Sequence, residues 1–304
     1  MGCAGRPAQS NLSDDKLYKK HNRNVHFTVY SARWSCWGAA CAGAGFTANL
    51  QYFLRHIMAL FSNQFHQVRA QCLAESTRDF LARGKSVVRC QLCQMASYAC
   101  ICPWRPRLSS RCEFILLMHS DEVFKPTNTG RLIADAFPEQ THVFCWSRTQ
   151  PSQALLQLLQ DPRRQCFIVF PADTTTSHSH AIFSEIPVSE KIPTFILLDG
   201  TWKQSSRMFN LSHWLDNIPC IALPAERARG YSVRKSHQEN YLSTAEAAAL
   251  CLQVAQEQHN SDQLLNYFQL FNAHYLATRG CYLPEQGQLH QQLRHFSEIE
   301  NGKT

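Results

Sequence analysis

The sequence predicts an α/β fold in which helices cover both faces of a mostly parallel sheet. Three observations lead there. From Cys112 onward, short apolar runs rich in β-prone residues alternate with stretches of helical periodicity. Polar loops follow several of these runs, as they do where the strands of an open α/β sheet end. The chain of 304 residues is also long enough to bury a sizeable core in one or two domains.

In order along the chain, Glu113–Met118 reads as a buried strand, Arg131–Phe137 as a helix, His142–Trp146 as a strand and Ser152–Leu159 as a helix. Further strands are expected at Cys166–Phe170, Thr194–Leu198 and Pro219–Leu223. Ser243-Thr244-Ala245-Glu246 has the spacing of a capping box, in which hydroxyl and carboxylate each satisfy an orphan backbone amide. It opens an Ala-rich helix to about Gln256. Leu264, Leu265, Phe268, Phe271 and Tyr275 recur at helical spacing and mark another amphipathic helix. Residues 1–57 show neither period and are expected to form a poorly ordered extension, with Met58 the expected start of translation. Residues 58–89 read as a basic, partly helical lead-in, 90–107 as a four-cysteine knuckle, 108–280 as the α/β domain and 281–304 as a Gln-rich peripheral tail.

Lys and Arg outnumber Asp and Glu by 30 to 23, a net charge of +7 that favours polyanionic partners without naming one. The 14 cysteines are spread through apolar runs such as Gln165–Phe170, unlike the dense spacing of a short secreted disulfide scaffold. A reducing, cytoplasmic compartment is expected. No apolar run reaches the length of a membrane span, and Arg6 stands where a myristoylation signal needs Ser or Thr. No membrane partner is expected.

Cys90, Cys93, Cys100 and Cys102 form a C-x2-C and a C-x-C pair six residues apart. Four thiolates at that spacing close a tetrahedral zinc site with no position left for water, so the metal would be structural. The alternative is four structural or redox thiols. Trp104, Arg105, Arg107 and Arg111 follow at once and suit base stacking and phosphate contact, or else a solvated linker.

The run Thr194–Leu198 stops on Asp199, Gly200, Thr201 and Trp202, and a helix carrying Lys203 and Arg207 follows. An acid ending a buried strand occupies a reactive position by geometry, the alternative being a helix cap. After the first strand comes the loop His119 to Arg131, in which Thr127, Asn128 and Gly130 can cap the next helix or offer N–H groups to an anion. His119 is either a structural histidine or a base. Pro171–Ser177 forms a second such loop, and Leu223–Lys235 gathers Arg227, Arg229, Arg234 and Lys235 around Tyr231. That basic loop has the composition of a polyphosphate footprint, or of a merely solvated loop.

Together the four cysteines, His119 to Arg131, Leu198–Trp202 with Met208 six residues on, Leu223-Pro224, Tyr231-x-x-Arg234-Lys235 and Ser243-Thr244-x-Glu246-Ala247 resemble the DTW-domain family, over roughly Cys90 to Tyr275. The resemblance implies a SPOUT-like α/β domain that binds S-adenosylmethionine among loops at the strand ends. It implies transfer of the 3-amino-3-carboxypropyl group to N3 of a uridine in tRNA, with release of methylthioadenosine. Asp199 and Trp202 then belong to the active site, with Thr201 as the threonine of the motif. His119, Thr127, Asn128, Pro171, Leu198, Gly200 and Leu223 are the expected donor-binding residues. Lys125, Arg131, Lys203, Arg207, Arg227, Arg229, Tyr231, Arg234 and Lys235 are the expected RNA contacts. Ser205, Ser206 and Arg207 stand where relatives often have Ala and Arg. Asp199 either takes the proton of N3 or holds the donor amino group. Trp202 stacks on a base or faces the cationic sulfur. Modification of ribosomal RNA, transfer of a methyl group, and a non-catalytic zinc-containing RNA adaptor are the alternatives.

Overall fold

The computed structural model describes residues 62–76, 87–170, 180–223 and 242–293. The expectations for residues 1–57 and for Pro171, Arg227, Arg229, Tyr231, Arg234 and Lys235 lie outside the described residues. In chain order the elements are α1 (Gln64–Glu75), β1 (Glu113–Met118), α2 (Gly130–Ala136), β2 (Thr141–Cys145), α3 (Gln153–Gln160), β3 (Arg164–Val169), β4 (Ile182–Phe183), β5 (Ile192–Asp199), α4 (Trp202–Leu211), β6 (Cys220–Ile221), α5 (Thr244–Val254) and α6 (Gln258–Gly280). No helix among the described residues is long and apolar enough to cross a membrane.

The six strands form one sheet in the order β2-β1-β5-β3-β6-β4, and every pair in it is parallel. Side chains alternate between its faces. Phe114, Leu116, Met118, Phe195 and Leu197 join the core shared with α1, α2, α5 and α6, whereas Ile115, Leu117, Ile196 and Leu198 pack under α3 and α4. Both faces are therefore covered, which is why Phe114–Met118 reads as an unbroken apolar run rather than an alternating one. The α/β class expected from the sequence is the one observed.

Two strands differ from expectation. β4 has no counterpart among the expected strands, because two residues carry no period. The run Pro219–Leu223 contracts to Cys220–Ile221, since Pro219 lacks an N–H and joins the ladder only as acceptor, from Ile168 N at 2.8 Å.

The register of β1 and β5 positions the site. Leu117 pairs with Leu198 and Met118 with Asp199, so the two strands end level, and His119 N donates to Asp199 O at 2.9 Å. Their crossovers then part. β1 leaves by α2 on one face of the sheet, and β5 leaves by α4 on the other. Neighbouring parallel strands whose crossovers depart to opposite faces open a crevice at their carboxyl ends, the usual ligand position of open α/β sheets.

The four-cysteine segment is held against α6. Ala96 N donates to Thr278 Oγ1 at 3.2 Å, and His274 Nδ1 meets Ala99 O at 3.0 Å. Gln94 takes the left-handed conformation at φ 58°, closing a turn in which Gln94 N donates to Cys90 O at 2.9 Å.

Candidate active site and metal centre

Asp199 is the last residue of β5 and is 3% exposed. Burial pushes its carboxyl up to about 6, against the opposing hydrogen bonds from Thr244 and Asn128. Asn128 Nδ2 donates to Oδ2 and Thr244 Oγ1 donates to Oδ1, each at 2.5 Å. The two donors have different origins. Asn128 lies in the loop after β1, just before the N-cap Thr129, and its Oδ1 also accepts from Arg131 N at 3.0 Å, satisfying a first-turn amide of α2. Thr244 opens α5, held by the capping box in which Ser243 and Glu246 satisfy each other's amides. The carboxyl also lies against Gly130, where an added Cβ would fall 2.7 Å from Oδ2. Only glycine admits that approach.

The helix cap considered for Asp199 belongs to Thr201. Thr201 is the N-cap of α4, its Oγ1 accepting from Gln204 N at 3.4 Å while Gln204 Oε1 accepts from Thr201 N at 2.8 Å. Gln204 then reaches across to the other loop, with its Nε2 3.2 Å from both His119 Nδ1 and Asp121 Oδ2. His119 Nδ1 also accepts from Asp121 N at 3.3 Å, and its ring stacks on Trp146 at 6.1 Å. Trp202, the first residue of α4, is 37% exposed. Its indole stacks on Phe170 at 5.4 Å, and Phe170 stacks in turn on Phe209 at 4.4 Å. These rings give Trp202 a fixed orientation.

A DTW-domain family model matches residues 87–276, more than half of the chain. The chain belongs to the DTW-domain family. The Drosophila melanogaster protein named tRNA-uridine aminocarboxypropyltransferase 2 is 25% identical to it over 185 residues, 58% of this chain and 70% of that protein. The Macaca fascicularis protein of the same name is 21% identical over 178 residues, 58% of this chain and 59% of that protein. No solved structure matches the chain significantly.

Among the remaining expected residues of this DTW domain, Leu198 lies beneath the crevice floor, accepting at its carbonyl from Ser205 Oγ at 2.9 Å. Gly200 joins β5 to α4, an added Cβ meeting Gln204 Cβ at 3.0 Å. Thr127 is half-buried in the Asn128 loop, and Leu223 packs at the margin of the larger core. Lys203 and Arg207 are exposed on one face of α4. Lys125 is half-buried and paired with Glu122 Oε1 at 2.5 Å. Arg131 corrects the sequence reading. It is 1% exposed, in a short helix whose every residue is buried, and so has no route to an RNA phosphate.

Sequence reasoning missed Thr244, Gln204 and Trp146 as contributors to the crevice, and named Gly130 only as a helix cap or anion donor rather than as the close neighbour of Asp199. Ser243-Thr244-Ala245-Glu246 signals a helix start, but nothing in that spacing says which strand end the helix start faces.

The four cysteine sulfurs lie within 4.8 Å of one another, with Cys90 and Cys102, and Cys93 and Cys100, each 3.7 Å apart. A tetrahedron with zinc–sulfur bonds of about 2.3 Å has edges of roughly 3.8 Å, so the sulfurs stand at the spacing zinc requires. Hydrogen bonds from its neighbours, Cys100 foremost, push Cys90 well below the usual thiol range, and Cys102 is driven well above it. A divalent cation would hold all four as thiolates.

Proposed function

We propose that this chain transfers the 3-amino-3-carboxypropyl group of S-adenosylmethionine to N3 of a uridine in tRNA, releasing methylthioadenosine, and that its four cysteines hold one structural zinc. The observation that carries this reading is the carboxyl of Asp199. It stands at the crevice between β1 and β5 with its pKa lifted by burial to about 6, in a chain of the DTW-domain family whose relatives include proteins named tRNA-uridine aminocarboxypropyltransferase 2. A base poised just below neutral pH is charged when it is needed and still strong enough to accept a proton.

The donor's sulfonium activates each of the three carbons bonded to it, so the bound geometry decides which carbon meets the nucleophile. Asp199 takes the proton of N3 as the new bond forms. Asn128 and Thr244, one on each oxygen, fix the orientation of the carboxyl. Trp202 offers a ring to the uracil or to the adenine. His119, Thr127, Asn128, Gly200 and Leu223 line the donor side. Lys203, Arg207 and the basic loop around Arg234 and Lys235 meet RNA phosphates. The same reading places the sheet among SPOUT-like folds and the protein in the cytoplasm.

The test is nucleoside mass spectrometry of tRNA and, in parallel, of ribosomal RNA, each incubated with the chain and S-adenosylmethionine labelled in the aminocarboxypropyl group. Labelled aminocarboxypropyluridine is the expected product, and Asp199→Asn is expected to reduce it by at least roughly a hundredfold while keeping tRNA affinity. A methylated nucleoside, product confined to ribosomal RNA, or no product from a chain that still binds tRNA would each overturn the reading.

A further inference from the structure

The helix α1 packs on β2, the edge strand of the sheet. Its start is held by side-chain hydrogen bonds: Asn63 Nδ2 donates to Asp135 Oδ1 at 2.8 Å, and Val143 N of β2 donates to Gln64 Oε1 at 2.9 Å. Phe65 is buried in the same turn. Two turns on, α1 meets the strand again through sulfur. Cys72 Sγ lies 2.9 Å from Sγ of Cys145, the last residue of β2.

That distance separates this pair from the knuckle. The sulfur pairs there stand 3.7 Å apart, the spacing around a metal, whereas Cys72 and Cys145 are closer still. A disulfide of about 2.05 Å needs a further approach of under roughly 1 Å. Among the described residues no third His, Cys or carboxylate stands close enough to make a metal site of the pair. Both cysteines are half-buried, which gives a small oxidant an access that it lacks at the buried Cys112 and Cys251. Their carriers are a helix and a strand already docked on each other, so the two sulfurs are presented by fixed backbone rather than by loops.

We propose that Cys72 and Cys145 close to a reversible disulfide that ties the last turn of α1 to the carboxyl end of β2. The oxidant is a small-molecule disulfide. One cysteine thiolate attacks it, breaking its S–S bond and expelling one thiol, and the second cysteine then displaces the other half. Two S–H bonds are lost, one S–S bond forms, and the oxidant leaves as two thiols. Excess thiol reverses the step. Cys145 pairs in register with Met118, and Trp146 N donates to Met118 O at 2.8 Å, so the bond falls at the end of the sheet where β1 and β5 also stop. Neither the transfer chemistry nor the zinc is needed for it.

The test is disulfide mapping on the full chain. Glutathione disulfide is added in mildly alkaline buffer, because burial pushes the Cys145 thiol up to about 12 and the thiolate is the attacking form. Its concentration is raised until the exposed Cys281 carries glutathione, which shows that the oxidant has acted. Remaining thiols are alkylated, and the chain is digested with trypsin without reduction. Cleavage after Arg69, Arg78, Arg131 and Arg148 yields Ala70–Arg78 and Leu132–Arg148, each holding one cysteine. The expected product is these two peptides joined, two hydrogens lighter than their sum and at least roughly tenfold above any other pairing of either cysteine. Excess dithiothreitol is expected to part them. Cys72 and Cys145 recovered alkylated, each carrying glutathione, or paired with other cysteines would each overturn the proposal. The oxidised parent is also expected to melt roughly 5 °C or more above Cys72→Ser treated in the same way. Equal melting temperatures would mean that the bond does not tie α1 to the sheet.

Discussion

Both oxygens of Asp199 are taken by donors that lie 71 and 45 residues away in the chain, and burial outweighs those two bonds in deciding how the carboxyl titrates. Burial raises its pKa from 3.8 to about 6, so its charged form is the one the fold disfavours. The sign follows from linkage: this group's contribution to stability is present below the unfolded value near 3.8 and is lost as pH rises through about 6. Activity runs the other way. As a base Asp199 works only when ionised, so kcat is expected to rise with pH through about 6 and then level off. Thr244→Val deletes a donor to the charged form and moves that limb to higher pH; a profile that stays in place would remove Thr244 from the account. Gly130→Ala drives a methyl to 2.7 Å from Oδ2. It is expected to lower kcat and cost roughly 1–3 kcal/mol in urea unfolding, the range for overpacking a tight site.

Among the elements, β1 and β5 do most to place the chemistry, because their equal ends bring two loops together and their crossovers diverge. Phe195, fully buried on β5, packs between Phe114 at 6.0 Å and Phe167 at 6.4 Å. Phe195→Ala is expected to cost about 3–5 kcal/mol, measured by urea unfolding. The cost falls on the strand that ends in Asp199, so a loss under 1 kcal/mol would mean the centre of the sheet is less well packed than the contacts require. On α4 the division of labour differs: Thr201 and Gln204 secure the helix start, Met208 and Phe209 anchor it to the sheet, and Lys203 and Arg207 remain at the surface.

At the scale of the molecule, the cysteine knuckle joins the α/β domain through α6 and through a buried group of polar residues around Asp135. One zinc per chain is expected by elemental analysis, with loss of the metal and a lowered melting temperature in Cys90→Ser. Metal-free protein that is folded and as stable as the parent would dispose of a structural zinc. Because the larger core spans cysteines, sheet, α5 and α6 together, loss of the knuckle is expected to loosen the cover of one whole sheet face rather than a single loop.

The sequence by itself determined the longer elements from Glu113 onward, β4 apart, together with the capping box at Ser243–Glu246, the cysteine quartet and the series of motifs that led to the DTW-domain family. These are legible because period, cap and ligand spacing are local properties of the chain. It misjudged Arg131, since a basic residue at the end of a polar loop looks the same whether the helix it starts is exposed or fully enclosed. Whether Asp199 caps a helix or ends its strand as a buried, hydrogen-bonded carboxyl was equally open in one dimension. The tertiary structure decided it, by pairing Met118 with Asp199 and bringing Asn128, Gly130 and Thr244 onto one carboxyl. Burial and long-range hydrogen bonding set that carboxyl's proton affinity, and both depend on which segments meet in space rather than on which are neighbours in the chain.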